Sequence, residues 1–216
     1  MHIPAAFRQD DLTQLHAQMR ENPLAALVSH SNAGLQASHL PLLLAAEEGE
    51  YGTLYGHFAR ANPQWQVFAE QPEALAIFSG ADAYVSPSAY PSKAEHGKAV
   101  PTWNYISVHA HGQLEVFDDP ERLRQLLAHM TAVHEGNQPK PWAMDDAPRD
   151  YIDSMLRAIV GFALPIQRLQ GQWKLNQDHH AADRAGVHQA LSASPQAKDQ
   201  ALAAHMHSVL TPTHQP

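Results

Sequence analysis

Three short segments hold side chains whose types and spacing could bind a ligand. The first is Gly56-His57-Phe58-Ala59-Arg60-Ala61-Asn62-Pro63. It places an arginine at the end of an expected strand, two residues before an expected helix start. Free amide N–H groups at a helix N-terminus and the positive end of its dipole attract anions, and a guanidinium grips phosphate as a fork. His57 and Asn62 add donors to the same turn. Two readings stand on these residues alone: a phosphate pocket, or a surface arginine beside an ordinary capped helix.

The second segment is Ser38-His39-Leu40-Pro41-Leu42. Proline within an apolar strand has no N–H for a ladder. The strand is therefore an edge, a bulge, or a place approached by a flat ligand or a dimer partner. The third is Val100-Pro101-Thr102-Trp103-Asn104-Tyr105, where aromatic residues alternate with Thr102 and Asn104. One face suits stacking and the other hydrogen bonding; core packing with cross-strand pairs explains the pattern equally well. The pairs His109/His111, His179/His180 and His205/His207 each lack a spaced third ligand and HExxH is absent, so no metal site is expected. There is no cysteine, no G-x-S-x-G, no GxGxxG and no Walker sequence, and Asp145-Asp146 has no identifiable partner. No catalytic residue is assigned.

The elements that must position these segments follow from periodicity and turn residues. Leu12, Leu15 and Met19 share a helical face behind the capping residues Asp10 and Asp11. Strands are expected over 25–30, 36–46 and 52–59, with a turn at 32–34. Asn62-Pro63 opens a short helix, residues 74–86 return to strand, and 86–99 form a loop long enough to serve a function. A strand over 100–117, bent near Gly112, precedes a helix from Asp119-Pro120 carrying Leu123, Leu126, Leu127 and Met130 on one face. A helix from Pro148 then leads to a strand pair, 159–169 and 172–176, joined by a turn at Gln170-Gly171. Residues 178–192 read as helix and 193–216 as a poorly ordered tail. Strands concentrated in 25–118 with helices around them indicate an α+β class, the sheet closed into a barrel, as one domain over 1–192.

Composition narrows the function classes. The 216 residues are 44% hydrophobic and 17% charged, enough apolar material for a sizeable core. The net charge of −8 opposes a broad nucleic-acid surface, although sixteen histidines change the balance below about pH 6.5. With no secretory signal, no apolar run of membrane-spanning length and no cysteine, a cytoplasmic protein is expected.

Seven blocks carry a family likeness: MHIPAAF (1–7), SHLPLLL (38–44), YGHFARANPQW (55–65), AYVSPSAYPSK (83–93), VPTWNY (100–105), AIVGF (158–162) and QWKLNQ (172–177). In this order, spanning nearly 1–192, they resemble the PaiB-type family of FMN-binding negative transcriptional regulators. The resemblance implies a split β-barrel of the pyridoxamine-phosphate-oxidase type, a homodimer with FMN at the subunit interface. The flavin phosphate then lies near His57, Ala59, Arg60 and Asn62, and the strand of His39, Leu40 and Pro41 lies along the flavin ring. Thr102, Trp103, Asn104 and Tyr105, with Trp173 and Lys174, complete the site from the partner. The family name implies contact with DNA, yet the best helix for it, over 183–191, carries too little positive charge. A flavin-dependent oxidoreductase acting on a small molecule and a heme-binding split barrel stand as alternatives.

Overall fold

The computed structural model describes residues 1–210. Strand β1 (Arg8–Gln9) leads into helix α1 (Leu12–Glu21). Asp11 caps that helix, its Oδ1 accepting from the amides of Thr13 (2.8 Å) and Gln14 (3.2 Å). Strands β2 (Leu24–Ser31) and β3 (Gly34–Pro41) form a hairpin running from Leu24 opposite Pro41 to Ser31 opposite Gly34. Gly34 has φ +106°, a conformation that side-chain-bearing residues adopt only with strain.

The strand expected over 36–46 is two strands. Beyond Pro41 the Leu42 amide donates to the Pro23 carbonyl at 2.8 Å, and β4 (Leu43–Ala45) pairs instead with β5 (Thr53–Ala59). Proline has no N–H with which to continue the ladder, so the chain changes partner there. Helix α2 (Gln64–Glu70), strand β6 (Glu73–Val85) and the short helix α3 (Lys93–His96) follow. The 100–117 strand is also divided, into β7 (Thr102–Gln113) and β8 (Glu115–Phe117). Its break falls at Leu114, whose amide donates to the Pro72 carbonyl at 2.7 Å, rather than at Gly112.

Helix α4 (Pro120–Glu135) starts where the sequence indicates, with the Asp119 side chain accepting from the Arg122 amide at 2.8 Å. Leu123, Leu126 and Met130 are its buried face and pack with Ile152 and Leu156 of α5 (Arg149–Arg157). Strand β9 (Ile159–Lys174) pairs with β5 from Ile159 opposite Ala59 to Pro165 opposite Thr53, and with β1 at Gly171 opposite Gln9. The turn expected at Gln170-Gly171 is therefore absent. The glycine serves a close approach instead: a Cβ on Gly171 would lie 2.2 Å from Leu15 Cδ2. The described strands form an antiparallel sheet in the order β3-β2-β6-β7-β9-β5-β4, which with the helices makes an α+β fold.

The chain divides into two compact units. One comprises Met1–Leu15, Ser79–Val108 and the described part of Gln170–Pro216; the other comprises His16–Phe78 and His109–Leu169. In the second unit Phe58 packs between Phe68 and Phe162, with centroids 6.1 and 5.0 Å away. In the first unit, helices α6 (Ala181–Ser192) and α7 (Ala197–Leu210) pack together. The α7 helix occupies most of the segment expected to be a loose tail. Leu202, Ala203 and Met206 are buried, an apolar stripe at i, i+1 and i+4 that the surrounding Pro, Ser and His residues mask in sequence. Residues 211–216 lie outside the described residues.

Candidate functional site

The residues singled out from sequence fall into two groups, one in each unit. Arg60, at the end of β5, has its guanidinium pinned by main chain. Nε donates to the Arg157 carbonyl and Nη2 to the Ile159 carbonyl, both at 2.9 Å, which leaves the Nη1 edge facing Asp118 at 3.6 Å. Asp118 is 70% exposed, and at this distance it is a loose partner. Arg60 lines a cavity of about 740 Å³ shared with Arg124, Arg149 and Arg157 and floored by Leu123 and Leu156. The carboxylates there are mostly engaged: Asp153 pairs with Arg124, Asp119 caps α4, and Glu121 accepts from Gln125 Nε2 at 3.0 Å.

Helix α2 is seven residues long and its first amide is satisfied within the chain, since Asn62 Oδ1 accepts from the Gln64 amide at 3.0 Å. Asn62 Nδ2 donates to Ser38 Oγ at 2.9 Å, tying the turn to β3. His39 on β3 is exposed, Leu40 and Pro41 are half-buried, and Ala59 closes the β5 ladder opposite Ile159. His57 is half-buried, and its Nδ1 is buried with no hydrogen-bond partner. Burial lowers the His57 pKa from its ordinary value. The neutral ring is the folded form, so its contribution is complete above about pH 6.5 and is lost as the pH falls, when the unfolded chain takes up a proton that the folded ring resists. A lower urea midpoint at about pH 5.5 than at about pH 7.5 is expected, with a smaller difference in His57→Gln.

The second group lies in the first unit. Lys174 Nζ donates to Thr102 Oγ1 and to the Trp103 carbonyl, both at 2.5 Å, and lies 6.0 Å from the Phe7 ring centroid. Burial lowers its pKa, against a smaller opposing pull from Asp178. Thr102 and Lys174 line a cavity of about 450 Å³. Trp103 is exposed and meets Tyr84 edge-on at 6.0 Å, Tyr105 is half-buried, and Trp173 is buried. Asn104 is fully buried and donates to Asn176 Oδ1 at 2.5 Å.

Of the other walls of this cavity, Tyr90 and Asn176 lie in blocks that carry the family likeness but were given no role there, and Asp183 lies in the expected helix weighed for DNA. Asn176 has φ +63°, which asparagine tolerates better than most residues. Its place after a strand, in KLNQ, was the available signal.

The family described as "Putative FMN-binding domain" matches residues 1–168. The chain belongs to this PaiB-type FMN-binding family. Protease synthase and sporulation protein PAI 2 of Bacillus subtilis is 31% identical over 93% of this chain and 95% of its own. An uncharacterized protein of Aspergillus fumigatus is 32% identical, covering 87% of this chain and 89% of its own. In structure the chain is similar to the FAD and heme binding protein of Mycobacterium smegmatis, with a TM-score of 0.58 at 17% identity over 77% of this chain and 73% of that one. The α+β fold of this PaiB-type chain is the FMN-binding split β-barrel with flanking helices, and its cofactor is a flavin. No helix among the described residues is long and apolar enough to cross a membrane.

One feature of the PaiB-type chain fits FMN: Arg60 is a preoriented guanidinium whose Nη1 edge, paired only loosely with the exposed Asp118, borders a roomy cavity.

Proposed function

We propose that this is an FMN-binding regulatory protein in which Arg60 receives the flavin phosphate. The observation that supports this most is the pinning of Arg60. Two main-chain carbonyls fix the guanidinium plane, so little ordering remains to be done when an anion arrives. A dianionic phosphate replaces the exposed Asp118, and Arg149 and Arg157 border the same space. His57 offers its ring nitrogen, and the strand of His39, Leu40 and Pro41 flanks the ring of the cofactor. Asn62 acts through Ser38 and the Gln64 amide, holding the turn in place.

Homodimerisation belongs to the same reading. Trp103, 48% exposed, is the residue of the second group best placed to meet a flavin carried by another copy. When bound, FMN supplies one- and two-electron redox chemistry. The regulatory part rests on the resemblance to the PaiB-type family of negative transcriptional regulators; the name of the Bacillus relative links that protein to protease synthesis and sporulation. An oxidoreductase is favoured instead by the preformed second cavity at Lys174, which has room for a reactant.

An absorbance spectrum of the purified protein between about 350 and 500 nm, before and after added FMN and then NADPH, separates these readings. A regulator is expected to take up FMN without catalytic NADPH consumption. Steady turnover with NADPH would make it an enzyme, and no FMN uptake would remove both.

A further inference from the structure

Helix α6 aims a buried carboxylate at a distant loop. Asp183 lies in the first turn of α6 and is only 4% exposed. Both of its oxygens go to one residue 91 positions away: Oδ1 accepts from the Ser92 amide at 3.1 Å and Oδ2 from Ser92 Oγ at 2.8 Å. We propose that Asp183 is a positioning residue of the flavin site, latching through Ser92 the loop from Lys93 to Val100 that walls the cavity of Thr102 and Lys174. This rests on the flavin reading and extends it to a residue beyond 168, where the family match ends.

A buried carboxylate is tolerated where donors replace the water it has lost. Burial pushes the Asp183 carboxyl up, but the Ser92 amide and hydroxyl, with His179 and His180 nearby, hold it below its ordinary value. The latch is therefore a pair of hydrogen bonds to a charged group at neutral pH, stronger than bonds between neutral groups. Helix and loop also meet closely. One turn along α6, a Cβ on Gly186 would lie 2.4 Å from the Ala89 carbonyl oxygen and 2.7 Å from Pro91 Cδ.

Beyond Ser92 the chain bonds to itself. The Glu95 amide donates to the Ser92 carbonyl at 3.1 Å, the Gly97 amide to the Lys93 carbonyl at 2.9 Å, and the Lys98 amide to His96 Nδ1 at 3.0 Å. Residues 93–98 are exposed. Local bonds of this kind shape a turn without fixing where it lies against the body of the protein. Its two ends do that: Ser92 is held by Asp183, and Thr102 Oγ1 accepts from Lys174 Nζ at 2.5 Å. His96, Lys98, Ala99 and Val100 line the same cavity as Thr102 and Lys174. A loop tied at both ends presents that wall in one arrangement, so less ordering is left to do when a flavin arrives.

Titration of the full-length protein with FMN and with riboflavin, well below its melting temperature, tests the latch. Asp183→Asn keeps an acceptor for the Ser92 amide but loses the charge; Ser92→Ala loses only the hydroxyl bond. Each should weaken both flavins by one common factor, about fivefold or more for Asp183→Asn and about threefold for Ser92→Ala, because the loop is not part of the Arg60 cavity. The double variant should fall short of the product of the two losses, since one latch carries both. Trypsin should cut Asp183→Asn faster than wild type after Lys93 and Lys98. Wild-type affinity for both flavins in Asp183→Asn would overturn the proposal even if that variant melts lower, because Asp183 would then serve the fold alone. A loss confined to FMN would overturn it too, since the phosphate would then be what Asp183 serves. Failure of the wild-type protein to bind either flavin would instead sink the flavin reading, and this proposal with it.

Discussion

Arg60→Ala is expected to lower FMN affinity about 10- to 100-fold, the size of effect that follows loss of charge-assisted hydrogen bonds to a phosphate. The same substitution removes the bonds to the Arg157 and Ile159 carbonyls, so a lower melting temperature should accompany the lost affinity. Arg60→Lys separates the two effects in part: it keeps the charge but cannot form the fork, and a lysine stem cannot reach both carbonyls at once. Arg149→Ala and Arg157→Ala remove exposed side chains of the same cavity. They should weaken FMN binding less and leave melting nearly unchanged, since exposed side chains contribute little to stability. Fluorescence titration of flavin together with thermal melting reads all four variants. Wild-type FMN affinity in Arg60→Ala would show that the phosphate docks elsewhere.

Gly112→Ala is expected to be the most damaging single-methyl change to the fold. The added Cβ would lie 2.1 Å from the Pro165 carbonyl oxygen and 3.0 Å from Leu164 Cδ1. Backbone on the neighbouring strand cannot step aside as a flexible side chain can, so the cost is about 3 kcal/mol or more, roughly a 10 °C drop in melting temperature. Gly136→Ala, whose nearest contact is Ala132 O at 3.0 Å, is the matched control and should melt within about 2 °C of wild type. Equal melting of the two variants would mean that β7 and β9 do not approach closely at Gly112.

The elements were legible wherever a local signal decides structure. Asp11 and Asp119 cap the helices that their positions announce, and Gly34 turns the β2–β3 hairpin. Pro41 announced an interruption, though not that Leu42 hands the chain from one partner strand to another. Gly171 shows the limit of such signals. Glycine permits a turn, but it also permits close packing, and only the presence of Leu15 and β1 beside β9 decides between them.

The site was legible in part. Arg60 lines a cavity, but one against α4 and α5 and not at the Asn62-Pro63 helix start, and what orients it is a pair of carbonyls about a hundred residues further along, which no local spacing reveals. The helix start expected to attract the phosphate is satisfied by Asn62 itself. Thr102 and Lys174, expected together in one site through the family resemblance, are hydrogen-bonded to one another. Tyr90, Asn176 and Asp183 were given no role from sequence because their contacts, Asn176 to Tyr90 and Ser92 to Asp183, join segments up to 91 residues apart.

The most direct test compares the affinities of the stripped wild-type protein for FMN and for riboflavin, which lacks the phosphate. If Arg60 and its cavity hold that phosphate, FMN binds at least about tenfold more tightly than riboflavin, and Arg60→Ala removes most of the difference. Equal affinity for the two flavins in the wild-type protein would contradict the account.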